Sequence, residues 1–350
     1  MNYIMDENIS SVCIEMSNIR KLCKINEYKG EQIIYKNQPK NIVISMNDDA
    51  ILKFVYDTYI DSFSGGSERL ICLINNEISP STREDINVVE FRDVIKTVNS
   101  AYEDTKICSQ TILELHGYLH RYSKIRGGRY RSIDTCASNI DSFLYRDYDN
   151  DFIRNKDMVG NIENYIERLC SNYYKLINSE EIEPLIIIAT FIIDFIRISP
   201  FYEENIKMAK ILTLLLLNKS GYEVGIFASL GKIYDDENQL YFKALFNKYG
   251  NSGSDKYSIN KWLEYFLDSI LKAYERLTDE MNLTGNKKET KTRRIEKIIN
   301  STLGYFTKDD IRDLCPDIPE PTINRVFNNL RKNGKIEVVA KGRSAKWRKR

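Results

Sequence analysis

The chain of 350 residues is 42% hydrophobic and 29% charged, which gives it the length of two domains and the balance of an ordinary globular protein, and excludes a disordered one. Its formal net charge of +1 hides an asymmetry: residues 286–350 hold 18 Lys+Arg against 8 Asp+Glu, a net of +10, and residues 1–285 hold 33 against 42, a net of −9. A small basic tail on an acidic body points to a polyanion contact by the tail, with a solvated basic surface as the plainer alternative.

The opening residues MNYIMDENISS have no basic n-region and no apolar run, so no signal peptide is expected. Seven cysteines without a CxxC pair fit buried packing in a reducing cytoplasm. Apolar residues recur at helical spacing over 88–104, 161–177 and 261–277, separated by turn-rich segments at 62–68, 78–82, 124–132, 198–201 and 249–258. The body is therefore a helical bundle. Pro184 to Ile198 is the most apolar stretch, but it is only 15 residues long and carries Asp194 and Arg197, short of the roughly 20 that span a bilayer. It reads as a buried helix of a cytoplasmic protein with no membrane contact.

The only two histidines, His116 and His120, lie one helical turn apart in LHGYLHR. That spacing suits two metal ligands, yet Gly117 stands where a zincin has its general-base glutamate and no acidic third ligand is near in sequence, so a structural helix face is expected. No GxxxxGK(S/T) or GxGxxG is present, which leaves P-loop and Rossmann sites without support.

The charged run TGNKKETKTRR (284–294) separates the bundle from a different pattern. A helix is expected over Lys291 to Asn300. Thr307 with Asp310 three residues on caps a second, and Pro321 and Thr322 start a third that Gly334 ends. KIEVVA and AKWRKR then alternate as two strands around KGRS. Three helices and a two-stranded wing make the winged variant of helix-turn-helix. Its third helix offers Asn324, Arg325, Asn328, Arg331 and Lys332 to DNA, and its wing Lys341, Arg343, Lys346 and Arg348. Arg and Asn have the donor geometry for base edges, and lysines hold phosphates. Protein docking remains the alternative use of such a module.

The segment DFIRISPFYEENIKMAKILTLLLLNKSGYEVG (194–225) resembles the central motif of Fic proteins, HPFx(D/E)GNGRxxR. Ser199 takes the histidine position, Pro200, Phe201 and Asn205 are retained, and Glu203 takes the metal-binding acid. Glu204 and Ile206 replace the two glycines, and Lys207 and Lys210 the two arginines. TILELHGYLHRY followed by GGRYRSIDT (127–135) resembles the family's helix leading into a flap hairpin, with Gly127, Gly128, Arg129 and Tyr130 as flap residues. VVEFRDVI (88–95), QLYFKALF (239–246) and WLEYFLDSILKAY (262–274) resemble helices of the same fold in the same order.

The resemblance implies a mainly α fold, a Fic/Fido bundle with a small β-hairpin flap followed by the winged helix-turn-helix domain. Residues 1–86 would form an N-terminal helical region with a degenerate inhibitory segment, 87–283 the Fic/Fido domain and 286–350 the winged helix. The family's inhibitory motif is (S/T)xxxE(G/N). Asp61 in TYIDSF is the preferred match for its acid, and Glu15 in SVCIE the second choice.

The resemblance also implies AMP transfer from ATP to a target hydroxyl, with the histidine as base, the glycine amides and arginines on the phosphates, and the acid on Mg²⁺. Serine does not titrate near neutral pH, and losing such a base costs about 10²–10⁴-fold. Glu204 brings negative charge to the anion nest, and Ile206 puts a β-branched side chain where positive φ is expected. Lysines keep charge without the bidentate fork of arginine. Binding of ATP and Mg²⁺ is thus expected to be weakened or absent. A plainer reading of Pro200, Phe201 and Asn205 is that they shape a helix–helix turn, with Asn205 capping its helix. Three functions stay open: a regulatory, nucleotide-binding pseudo-enzyme with a DNA-contacting tail; a slow AMP transferase, or altered chemistry with Glu203 or Glu204 as base; and a protein-interaction module with a vestigial pocket. Expected partners are DNA, an unidentified protein and a second copy of the chain.

Overall fold

A computed structural model of the chain describes residues 14–38, 40–122, 127–132, 160–231, 259–285, 291–340 and 345–349, with Ile9, Val12 and Gly342. Residues 133–135, 239–246 and 249–258 lie outside them, as do Ser11, Lys341 and Arg343.

The body is built on one apolar helix. In chain order it comprises α1 (Met16–Glu31), α2 (Ile33–Lys36), α3 (Lys40–Tyr59), α4 (Gly66–Ile74), α5 (Arg83–Ala101), α6 (Ser109–Tyr118), α7 (Ile162–Ser179), α8 (Pro184–Ile198), α9 (Asn205–Lys219), α10 (Val224–Phe227) and α11 (Ile259–Gly285). Pro184 starts α8, where a missing N–H costs nothing, and every residue from Leu185 to Ile198 is buried. A helix apolar all round needs neighbours on every side. α7, α9 and α11 supply them, and Trp262 of α11 donates its indole N–H to Ala189 O at 2.7 Å. α5 packs against α9, α3 against α5, and α1 across α11. Among the described residues no helix is long and apolar enough to cross a membrane.

Two polar devices at the start of α5 fix its entry. Thr82 and Asp85 form a reciprocal capping box, and Asp85 also pairs with Arg69 of α4. Arg69, together with amide donors from Ser81 and Thr82, holds the Asp85 carboxyl well below the usual range. The buried Arg92 of α5 donates to Leu73 O at 3.0 Å and to Asn76 Oδ1, closing the C-terminal end of α4.

The tail has its own core. It consists of α12 (Lys291–Ser301), β1 (Tyr305–Phe306), α13 (Lys308–Leu314), α14 (Glu320–Lys332), β2 (Ile336–Ala340) and β3 (Lys346–Lys349), with an antiparallel sheet in the order β1-β3-β2. Thr307 and Asp310 make the expected capping box. α14 begins at Glu320, one residue before the expected Pro321. Phe327 lies at the centre, edge-on to Phe306 at 5.9 Å and to Trp347 at 5.2 Å.

One expectation is corrected. The sheet has three strands, not two, because Tyr305–Phe306 is too short to show alternation and is recruited by pairing with Arg348 and Trp347. The flap expected over 127–135 lies partly outside the described residues; within 127–132 the Arg131 amide donates to Pro200 O at 2.9 Å, in the motif loop.

Phe327→Ala should cost the tail about 3–5 kcal/mol, the range for emptying an aromatic core site. Urea unfolding followed through Trp347 in a Trp262→Phe background should show the loss, with little change in the transition followed through Trp262 in a Trp347→Phe background.

Candidate functional site

Pro200 forbids α8 from continuing and biases the residue before it away from the right-handed helical region. Ser199 accordingly takes a left-handed conformation (φ 43°) and is fully buried. Its hydroxyl donates to Ile196 O at 2.6 Å, so the group at the histidine position of the Fic pattern is committed to its own helix. Phe201 follows, buried, and Asn205 returns from the start of α9 to grip it. Asn205 Oδ1 accepts from Phe201 N and its Nδ2 donates to Phe201 O, both at 3.0 Å. Asn205 is thus a clasp on the loop and not the expected helix cap, which is Glu204, itself left-handed (φ 66°). Ile206 lies inside α9, so the positive φ expected there falls on Ser199 and Glu204 instead.

His116 ties this loop to the flap. Its Nδ1 accepts from Gly128 N at 3.0 Å, which leaves Nε2 to donate to Glu203 O at 3.3 Å. The ring lies flat on Phe201, 3.7 Å between centroids and 4° from parallel. Burial, reinforced by His120 beside it, lowers the His116 pKa to about 3, in agreement with a neutral ring. The flap glycines are needed for this approach: a Cβ on Gly127 would sit 2.8 Å from His116 O, and Gly128 has φ +72°. Tyr130 stacks on the far side of the cluster and hydrogen-bonds Ser109, while Arg129 is exposed. Arg131 reaches over the loop, donating to Ser199 O at 2.7 Å and to Ile198 O, which satisfies the C-terminal carbonyls of α8. Burial lowers its pKa only to about 10, so it stays charged.

The charges around the start of α9 pair with one another. Glu204 turns its carboxylate onto Lys207 at 2.8 Å and makes no side-chain cap to α9. Lys207 also lies 4.8 Å from the centroid of the Tyr59 ring, at the end of α3. Burial works against the Lys207 charge, but Tyr59 and Glu204 outweigh it and the net shift is upward. Lys210 is buried and donates to Thr58 Oγ1 at 3.3 Å. The last turn of α3 therefore covers both lysines. Three residues beyond Thr58, Asp61 is exposed on the following turn, and Glu15 is exposed at the N-cap of α1.

Two further acids face this region. Glu203 Oε1 is buried with no hydrogen-bond partner, and burial, with Glu204 adding, pushes its pKa up. Glu90 of α5 is 2% exposed, accepts from Tyr122 N, and is likewise pushed up by burial. Arg83 and Lys207 act on both in the opposite direction, and Arg83 lies 3.5 Å from His120 Nδ1. His116, His120, Arg131, Glu90, Arg83, Thr58 and Tyr59 were not singled out as site residues by sequence. The histidines alone carried a signal, as the only two in the chain.

The residues present do not fit a magnesium triphosphate. A buried, unpaired Glu203 oxygen suits a cation, but Glu204 occupies the mouth of the helix. Its carboxylate also neutralises Lys207, so the helix mouth has no net positive charge from this pair to offer a phosphate. Among the described residues no group of three or more His, Cys, Asp or Glu could hold a metal ion.

In the tail, Arg325, Asn328, Arg331 and Lys332 are exposed on α14, while Asn324 accepts from Lys308 at 2.6 Å. Lys346 is exposed on β3. Arg348, expected on the wing's phosphate-facing side, is ion-paired with Glu337 at 2.6 Å and with Glu68 of α4.

No protein-family model matches the chain, and no curated protein matches it. Solved structures do. A Fic family protein from Desulfovibrio desulfuricans G20 superposes with a TM-score of 0.55 at 14% identity, covering 97% of each chain. A Fic domain containing signaling protein from Bacteroides thetaiotaomicron VPI-5482 has a TM-score of 0.54 at 14% identity, over 73% of this chain and 96% of its own. The chain has a Fic-like fold over nearly its full length.

His116 makes stability depend on pH with a definite sign. Its folded pKa lies below the ordinary 6.5, so its contribution is complete above about 6.5 and is lost as pH falls toward about 3. His116→Phe keeps the stacking but leaves Gly128 N unpaired. It should cost about 1–3 kcal/mol at pH 7 and flatten the decline in melting temperature between pH 7 and 4.

Proposed function

We propose that the chain is a Fic-fold pseudo-enzyme that does not transfer AMP and acts by binding, with a winged-helix tail that contacts DNA. The observation that carries the first half is Ser199: it is fully buried and its hydroxyl is held by Ile196 O, so nothing at the base position can accept a proton from a target. The engagement of Lys207 by Glu204 and of Lys210 by Thr58 supports the same reading, since the charges that would meet phosphates already serve the chain itself. The second half rests on the +10 charge of residues 286–350 and on the exposed Arg325, Asn328, Arg331 and Lys332 along one helix.

With ATP labelled at the α-phosphate and Mg²⁺, neither the protein nor added proteins should become labelled. Ser199→His alone should restore little, because Glu204 still guards the helix mouth; strong labelling by the unaltered chain would instead establish a slow transferase. Calorimetry should give at most weak ATP binding, improved about tenfold or more by Glu204→Gly, which removes the like charge and suits the left-handed backbone.

Duplex DNA should bind the full chain at about 50 mM salt and dissociate steeply as salt rises, with each neutralised phosphate contributing about −0.9 to the slope of log K against log[salt]. Arg325→Ala and Arg331→Ala should flatten the preference between sequences, whereas Lys332→Ala should weaken all sequences alike. Absence of binding at that salt would favour protein docking by the tail.

A further inference from the structure

The body and the tail meet through a built contact. On the body side stand α4 and the turn after it, with Glu68, Ile71, Cys72, Asn75 and Glu77. On the tail side stand Gly304, β1 and β3. Gly304 has φ +84°, and a Cβ there would lie 2.5 Å from Asn75 Nδ2 and 3.0 Å from Ile71 Cγ2, so glycine lets this turn pack directly against the Asn75 and Ile71 side chains.

The charges across this contact are complementary. Arg348 of β3 lies between Glu337 of its own sheet and Glu68 of α4. Lys346, two residues away on the same strand, acts electrostatically on Glu77. Glu68 of α4 and Glu77 just beyond it thus act on the strand that the sequence assigns to the DNA backbone. An acidic helix beside a basic strand offers that strand the partners a phosphate backbone would offer.

We infer that α4 and the turn after it are an internal competitor for DNA: Glu68, ion-paired with Arg348, and Glu77, on which Lys346 acts electrostatically, hold the basic strand β3, and a duplex engages β3 only by displacing them. This rests on the reading of the tail as a DNA-contacting module. The exposed face of α14 carries none of these body contacts, so a duplex meets that helix while β3 is still held, and contact along the strand follows release. The full chain then binds more weakly, and with a shallower salt dependence, than its tail charges alone would allow.

The test compares the full chain with its Glu68→Gln/Glu77→Gln double variant. Gln removes the charge at each position while keeping the size of the side chain, and neither residue belongs to the tail. Binding of a fluorescent 20-base-pair duplex (a length of roughly two helical turns) is titrated across salt, with Arg325→Ala/Arg331→Ala as a control for α14. The double variant should bind about three- to tenfold more tightly, the scale of two exposed ion pairs. Its salt slope should steepen by about 1–2, as Arg348 and Lys346 move onto phosphates. Hydrogen exchange of residues 304–306 and 346–349, measured without DNA, should be faster in the double variant than in the unaltered chain. If both proteins bind the duplex alike and the control weakens binding, the competitor is overturned and the DNA reading stands. If neither protein binds, both fall. Unchanged exchange in the double variant would also overturn the competitor, since Glu68 and Glu77 would then not hold the strand.

Discussion

A neutral imidazole joins the flap to the motif loop. His116 accepts a hydrogen bond from the Gly128 amide and donates one to Glu203 O, so it cannot carry a charge without losing the first contact. Phe201 lies flat against it, and the flap glycines come close enough only because they have no side chains. The other arrangements of the site follow from this seat. With Phe201 fixed, Asn205 can clasp its backbone from the next helix, and Arg131 can close the end of α8. Left-handed conformations at Ser199 and Glu204 cost of order 1–3 kcal/mol each and persist because these contacts over-determine the loop.

That loop is satisfied from within. Open amides and free cations make an anion site at a helix N-terminus. Here the first cation faces a carboxylate from its own helix and a tyrosine from α3, and the second faces a threonine one residue earlier. The end of α3 is consequently part of the site. Glu203 and Glu90 are the groups least served by their surroundings. Each has a carboxyl oxygen without a partner, and each is pushed toward its protonated form.

The charge asymmetry of the chain has a structural counterpart. Most of the basic excess lies in a unit with its own aromatic centre at Phe327, and that unit meets the body where the body is acidic. α4 links the two halves of the molecule. Its Glu68 faces the tail, while its neighbour Arg69 holds the capping acid of α5, the helix that carries Arg83 and Glu90 toward the site.

The helical bundle, the buried α8, the tail's capping box and its three helices were all legible in the sequence, because each rests on signals within a few residues: apolar spacing, a proline at a helix start, a Thr with an Asp three positions on. The motif segment was legible for the same reason, since the residues that carry its resemblance lie within 199–210. The pairings were not. His116 and Glu203 are 87 positions apart, Arg131 and Ser199 68, Lys210 and Thr58 152, and Arg348 and Glu68 280. A side chain's charge state and partner depend on what the fold brings against it, and no local pattern encodes that. The same holds for backbone conformation: sequence placed the positive φ at Ile206, whereas the structure has it at Glu204, beside the clasp of Asn205 on Phe201. Sequence by itself determined which segments are helices, which of them are buried and which residue types stand in the motif segment. Tertiary structure decided which of the remaining charges are free, because only packing brings the acids and bases of distant segments within bonding distance.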